Sequence, residues 1–154
     1  MKQNNNETKY LDKFYNPDIT PYDFLSLFSS VLASQNEYSF VRDSLIEFIN
    51  HCKKNSLYNN LLKDINLKTN GVTFYSEEFD EAISKLKWAR ILYTVSPEQD
   101  STIWIFNNIP IPELIKHKES FLGEVKQFIN EYKQFSNKNT DKKLVLTDKK
   151  TTFN

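Results

Sequence analysis

Glycine is nearly absent from this chain, and its scarcity limits the chemistry available. The 154 residues include only Gly71 and Gly123, which lie far apart. A glycine-rich phosphate-binding loop needs several glycines close together, because its backbone must approach the phosphates and adopt positive φ. The sequence therefore excludes P-loop and dinucleotide-binding fingerprints, and we expect no cofactor.

Cysteine and long apolar runs are also missing. Cys52 is the single cysteine, so no internal disulfide forms and a reducing compartment is expected. No apolar run reaches the roughly 18 residues of a membrane-spanning helix. The polar start, MKQNNNETKY, lacks the apolar centre of a signal peptide. We expect a cytoplasmic protein with no membrane association.

Net charge is absent. Lys plus Arg total 20 and Asp plus Glu total 20, and the only arginines are Arg42 and Arg90. A chain with no net positive field lacks the long-range attraction that brings most nucleic-acid binders to their target. Arginine also makes the commonest specific contact to guanine, so base-reading residues are few.

Catalytic and metal-binding patterns are not found. His51 precedes Cys52, but neighbouring side chains on a helix point about 100° apart, so the two do not form a nucleophile–base pair. Glu113 and His117 are spaced as an exposed helical pair, and no further ligands lie at metal-binding spacing. We therefore predict a protein that is not an enzyme and holds no metal, with an enzyme of unrecognised type as an alternative.

The composition predicts a folded domain, since 39% of residues are hydrophobic and 14% aromatic. We divide the chain into a flexible N-terminal segment (1–14), one domain (15–136) and a Lys-rich tail (137–154). The domain is predicted to include a long C-terminal helix over 112–135, whose wide apolar stripe is typical of packing against a body.

Three helices are predicted in the first half of the domain. Thr20 is a good N-cap, Pro21 suits the first helical position, and the apolar spacing continues to about Ser34. A second helix is predicted to open at Ser39 and to place Cys52 on its buried face. A shorter third helix is predicted from Ser56.

The second half of the domain is predicted to begin with a turn at Asn70-Gly71, between short extended pieces at 67–69 and 72–75. Ser76 then caps a helix over 77–88. Strands at 91–95 and 102–106 follow as a hairpin, with Ile103 and Ile105 on one face.

Two tryptophans, Trp88 and Trp104, lie within this helix–hairpin unit together with Tyr93. We expect them to close the core between helix and hairpin. Exposed tryptophans would instead be typical anchors of a protein interface.

The helix and hairpin resemble the recognition helix and wing of a winged helix-turn-helix domain. The resemblance is carried by Phe79-x-x-Ala82-Ile83-x-x-Leu86, followed by Ile91-Leu92 and the hairpin. It implies a mainly α fold with a small β-hairpin (α+β) and a long helix appended at the C-terminus. In that family the appended helix often mediates dimerisation, which implies a homodimer through 112–135. The chain departs from the family pattern, because those proteins usually have glycine where this chain has Ala89 or Arg90.

The charges on this unit oppose the DNA-binding role that the resemblance implies. Residues 77–100 contain six acids against Lys85, Lys87 and Arg90, and carboxylates repel phosphate. Acids in a first helical turn also stabilise the helix dipole, by about 0.3–1 kcal/mol each. We expect a protein-interaction surface formed by Glu77, Glu78, Asp80, Glu81, Glu98 and Asp100.

The predicted function is a small regulatory protein, bacterial or phage, that binds a basic protein partner as an antitoxin-like protein, inhibitor or adaptor. The alternative is a DNA-binding regulator that uses Lys85, Lys87 and Arg90 and dimerises through its last helix. A Lys-rich tail offers a weaker, nonspecific route to nucleic acid.

Overall fold

The computed structural model describes residues 19–95, 101–106 and 119–151, with side chains of the last segment described from 120 to 138. Helices α1 (Pro21–Ser34), α2 (Arg42–Lys54), α3 (Asn59–Leu62), α4 (Glu77–Trp88) and α5 (Leu122–Thr151) make up most of it. The strands are β1 (Ser39–Val41), β2 (Lys68–Thr69), β3 (Phe74–Tyr75), β4 (Leu92–Tyr93) and β5 (Thr102–Ile105). The fold is therefore mainly α with small antiparallel sheets, as predicted.

Helix α1 begins where its capping residues predict. The Asp23 backbone N–H donates to Thr20 Oγ1 at 3.1 Å, and the Thr20 N–H donates to Asp23 Oδ2 at 3.1 Å. This reciprocal capping box satisfies donors that the first turn leaves without helical partners. Pro21 occupies the first turn, where no N–H is required.

The predicted start of the second helix at Ser39 is wrong. Residues Ser39–Val41 form strand β1, which pairs antiparallel with β5 in the register Ser39↔Trp104, Phe40↔Ile103 and Val41↔Thr102. Helix α2 begins only at Arg42. The periodicity of α2 extends into the strand by coincidence, and the pairing partner lies about sixty residues away in sequence, which local reasoning does not detect.

The predicted third helix from Ser56 is also shorter than expected. Ser56 and Tyr58 have φ of 54° and 56°, in the left-handed region, so the backbone cannot continue as a right-handed helix there. Helix α3 covers only Asn59–Leu62. The Tyr58 ring packs edge-on to Phe128 at 5.4 Å, and its hydroxyl donates to Glu131 Oε2 at 2.7 Å. These contacts with α5 stabilise the unusual backbone.

The turn predicted at Asn70-Gly71 is confirmed and joins β2 to β3. Asn70 Oδ1 accepts the backbone N–H groups of Val72 at 3.0 Å and Thr73 at 2.9 Å. Gly71 has φ of 93°, which a residue with a Cβ rarely adopts. The side chain of Asn70 and the freedom of Gly71 therefore fix the turn together.

The three-stranded sheet has the order β1-β5-β4. Ile103 and Ile105 face the core, which confirms the predicted alternation along this strand. On the opposite face, the Tyr93 ring lies 6.5 Å from that of Trp104 and 4.6 Å from that of Phe106. Both faces of the sheet are therefore at least partly covered.

Helix α1 lies at the centre of the domain, between α4 and α5. An aromatic cluster fills the space between α1, α2 and α5, and its rings are those of Phe24, Phe28, Phe48, Phe128 and Tyr132. Edge-to-face pairs of this kind contribute about 0.5–1.5 kcal/mol beyond the burial of their area. Burying so many rings positions the helices firmly against one another.

The last helix packs its apolar stripe against its own chain. Val125, Phe128, Ile129 and Tyr132 are buried, as the width of the stripe predicts. The described helix starts at Leu122 after a 3₁₀ turn (Glu119–Phe121), and residues 107–118, including most of the predicted first turns, lie outside the described residues. The predicted end at residue 135 is wrong, since the helix continues to Thr151.

Candidate interaction surface on helix α4

Helix α4 presents one apolar and one charged side, and its inward side holds it against α1. Ser76 caps the helix, since its Oγ accepts the Phe79 backbone N–H at 3.2 Å. The inward residues Phe79, Ala82, Ile83 and Leu86 are buried in the core, as predicted. The exposed side therefore carries all the charges of the helix on a rigid support.

Two of the predicted acidic residues are paired with basic residues outside α4. Asp80 Oδ1 lies 2.7 Å from Nη2 of Arg42, the first residue of α2. Glu77 Oε1 lies 3.3 Å from Lys68 Nζ, on β2. These ion pairs tie α4 to its neighbours and neutralise part of the acidic surface.

The other two acids are satisfied locally. Glu81 forms an i,i+4 ion pair with Lys85 at 3.3 Å. Glu78 Oε2 accepts the Ser76 hydroxyl at 3.0 Å, and its Oε1 accepts the Asn66 amide at 3.4 Å. Backbone hydrogen bonding at the helix N-terminus, followed by these side-chain bonds, lowers the pKa of Glu78. All four acids therefore have a role in the fold, and Glu98 and Asp100 lie outside the described residues.

The C-terminal end of α4 is different. Trp88 is 88% exposed, so the prediction that it closes the core is wrong. Around it lie Lys87 and Arg90, neither of which forms an ion pair within the part of the chain that the structure describes. Trp104, the second tryptophan, is half-buried against Tyr93. A large aromatic side chain is thus presented to solvent close to two cations.

Arg90 is held in a backbone conformation that favours glycine. The Ile91 N–H donates to the Leu86 carbonyl at 2.9 Å and the Arg90 N–H donates to the Lys87 carbonyl at 3.0 Å. This is a Schellman motif, which requires the residue after the C-cap to be left-handed. Arg90 accordingly has φ of 58°. The arginine therefore stands where the winged-helix resemblance leads one to expect glycine.

Two adjoining grooves run along this end of the helix. One has a volume of about 440 Å³ and is lined by Ser84, Lys87, Trp88 and Arg90. The other has a volume of about 190 Å³ and is lined by Arg42, Asp80, Ile83, Ser84, Lys87 and Ile103. Ser84 and Lys87 line both grooves, so the two lie side by side on the helix. Both arginines of the chain contribute to this surface.

The residues suited to nucleophilic or redox chemistry are not arranged for it. Cys52 is fully buried, and burial, with a smaller effect of Glu131, raises the pKa of its thiol to about 12. His51 is exposed and stacks on Phe48 with ring centroids 6.2 Å apart. No group of three or more metal-ligating side chains is found among residues 19–95, 101–106 and 120–138. His117 and Glu113 lie outside the described residues.

Sequence reasoning missed two features of this surface. The first is Arg42, whose pairing with Asp80 joins residues 38 positions apart and leaves no local signal in the sequence. The exposure of Trp88 did have a signal. Steps of about 100° per residue place it on the same side of α4 as Glu77 and Glu81, opposite Phe79 and Leu86.

No protein family, curated protein or solved structure matches this chain. Within the helices that the structure describes, none combines the length and the apolar character needed to cross a bilayer.

Proposed function

We propose that this protein is a non-enzymatic interaction protein that binds another protein through the C-terminal half of α4. The observation that carries the proposal is the exposure of Trp88, at 88% of its surface. Tryptophan and arginine are the residues most enriched among those that dominate binding energy at protein interfaces. Here Trp88 stands next to Arg90 and lines a groove of about 440 Å³.

The charges of the surface favour a partner with acidic groups. Lys87 and Arg90 have no ion-pair partner among the described residues, whereas the four acids of α4 are each bonded within the chain. A carboxylate from a partner gains a charge-assisted hydrogen bond at either cation. We therefore place the main contact at the cationic end, rather than at the acidic turn that the sequence favours.

The cellular setting proposed is a cytoplasmic regulatory role in a bacterium or phage, as an antitoxin-like protein, inhibitor or adaptor. A single reduced and buried thiol, Cys52, suits a reducing compartment. The course of the chain from α4 directly into the hairpin of β4 and β5 supports the proposed winged-helix arrangement.

The test compares captured proteins with two matched baits, Trp88→Ala and Val72→Ala. Val72 is 89% exposed, as accessible as Trp88, but lies in the turn between β2 and β3. Wild type and Val72→Ala are expected to retain the same partner from a lysate of the native host, and Trp88→Ala is expected to lose it. Equal retention by all three baits would contradict the assignment of Trp88.

A second candidate function is DNA binding by the same end of α4. The observation in its favour is that Lys87, Arg90 and Arg42 line two neighbouring grooves, with Lys85 on the same helix. Titration of duplex DNA at low and physiological salt, with wild type and a Lys87→Ala/Arg90→Ala variant, separates the two functions. The protein-binding proposal expects no affinity at physiological salt.

A further inference from the structure

The exposed side of α4 has an ordered charge distribution. Steps of about 100° per residue place four residues on a central stripe and further residues on two flanks. The central stripe is formed by Glu77, Glu81, Ser84 and Trp88. One flank carries Glu78 and Lys85, and the other carries Asp80 and Lys87. On each flank the acid lies nearer the N-terminus and the lysine nearer the C-terminus.

This distribution is complementary to itself in one orientation only. A two-fold axis perpendicular to α4 pairs the helix with an antiparallel copy and keeps each flank opposite the same flank. Lys87 then faces Asp80 of the second copy. Lys85 faces Glu81 of the second copy, because Glu81 lies at the border of that flank. A parallel copy would instead bring like charges together.

The place of Trp88 in this arrangement follows from the position of the axis. An axis that passes level with the middle of the helix, between Glu81 and Ser84, brings Trp88 level with Glu77 of the second copy.

We propose that α4 pairs antiparallel with α4 of a second copy of this chain, with Trp88 as the anchor of the interface. The proposal rests on the proposed function, since it names the protein that the α4 surface binds. Zero net charge favours self-association, because identical copies then have no overall repulsion.

The Glu81–Lys85 ion pair within α4 does not prevent this docking. In the Glu81–Lys85 pair, the two side chains are 68% and 62% exposed, and exposed pairs are held weakly. Little free energy is therefore lost when Lys85 leaves Glu81 of its own chain and pairs with Glu81 of the second copy. The apolar stripe of α5, which the sequence offered for dimerisation, is already buried against α1 and α2. Helix α4 is therefore the better surface for a second copy.

The test is a charge exchange at the Glu81–Lys85 pair of the full chain, measured by sedimentation over a concentration series. Wild type is expected to dimerise in a concentration-dependent way. Glu81→Lys alone, or Lys85→Glu alone, makes like charges face each other across the interface and is expected to weaken dimerisation at least tenfold. An equimolar mixture of these two variants is expected to recover wild-type association, because opposite charges face each other again.

The mixture separates an interface effect from a folding effect. Both variants still lack the internal ion pair when mixed, so a loss caused by weakened helix stability would not be recovered. The double variant Glu81→Lys/Lys85→Glu is expected to dimerise like wild type. It exchanges the two charges, so opposite charges again pair both within the helix and across the interface. Circular dichroism of each variant checks that α4 is still formed.

The anchor is tested by Trp88→Ala, which is expected to weaken dimerisation at least tenfold, while Val72→Ala leaves it unchanged. A wild-type chain that stays monomeric up to about 1 mM, the weak limit of useful affinity, would overturn the inference. So would a mixture that fails to recover. A monomer that still captures a different protein through Trp88 would overturn only the self-pairing and leave the proposed function standing.

Discussion

Replacement of Arg90 by glycine is expected to stabilise the protein. Arg90 has φ of 58° because the Schellman motif at the end of α4 requires a left-handed residue. Its side chain is exposed and forms no ion pair within the described part of the chain. Glycine removes the steric strain at Cβ and costs no contact that the structure describes.

The size of the effect follows from two opposing contributions. A residue with a Cβ in the left-handed region costs about 1–2 kcal/mol relative to the right-handed one. Glycine has more conformational freedom in the unfolded chain, which offsets about 0.4–1 kcal/mol of the gain. The net increase in the free energy of unfolding is therefore about 0.5–1 kcal/mol. For a chain of this size, an increase of about 1 kcal/mol raises Tm by roughly 2–4 °C.

The structure supplies two internal controls, because α1 and α2 end in the same motif. Asn36 has φ of 60° and Ser56 has φ of 54°. Asparagine tolerates the left-handed region, so Asn36→Gly is expected to change stability least, with Ser56→Gly between it and Arg90→Gly. Urea and thermal unfolding followed by circular dichroism measure all three. The reasoning is refuted if Arg90→Gly destabilises the protein, or if Asn36→Gly stabilises it by as much.

Three further predictions concern fluorescence, alkaline stability and one hydrogen bond. Iodide is expected to quench the fluorescence of Trp88 more efficiently than caesium, because the positive charge of Lys87 beside Trp88 attracts the anion. Trp88→Phe should remove this difference, whereas Trp104→Phe should not. The pKa of Cys52 is raised from 9.0 to about 12 by burial, so its contribution to stability is fully present below pH 9 and is lost as pH rises towards 12. The free energy of unfolding should fall by about 1.4 kcal/mol per pH unit from this group, and Cys52→Ala should lose that slope. Tyr58→Phe removes the hydrogen bond to the Glu131 carboxylate and is expected to cost about 1–3 kcal/mol in urea unfolding, whereas loss of less than a few tenths would contradict a structural role for that bond.

The parts of the fold that the sequence predicts are those determined by neighbouring residues. Thr20 and Ser76 cap α1 and α4 through bonds to residues three positions ahead, so both starts can be read directly. The turn at Asn70-Gly71 depends on a side chain and a φ value within four residues. Local chemistry of this kind is visible in a single sequence.

The parts that the sequence does not predict depend on distant contacts. Strand β1 exists because Phe40 lies beside Ile103 in the sheet. The left-handed Tyr58 is stabilised by α5, through Phe128 and Glu131. These contacts become visible only when the chain has folded.

The candidate surface on α4 likewise has features that the sequence predicts and features that it does not. The helix and its charges were predicted, including Lys87 and Arg90 at its C-terminal end. The ion-pair partners of Asp80 and Glu77 are not predicted, since Arg42 and Lys68 come from other elements. For Trp88, helical spacing predicts exposure whereas its residue type favours burial, and the spacing is the better guide here.

The enclosure of Cys52 has a practical consequence for experiments on this protein. Its side chain is fully inaccessible, and it is the only thiol in the chain. An alkylating reagent can therefore reach it only during transient opening of the core between α2 and α5. Pulsed labelling followed by mass spectrometry would report the rate of that opening at a single position, with no engineered probe and no background from other cysteines.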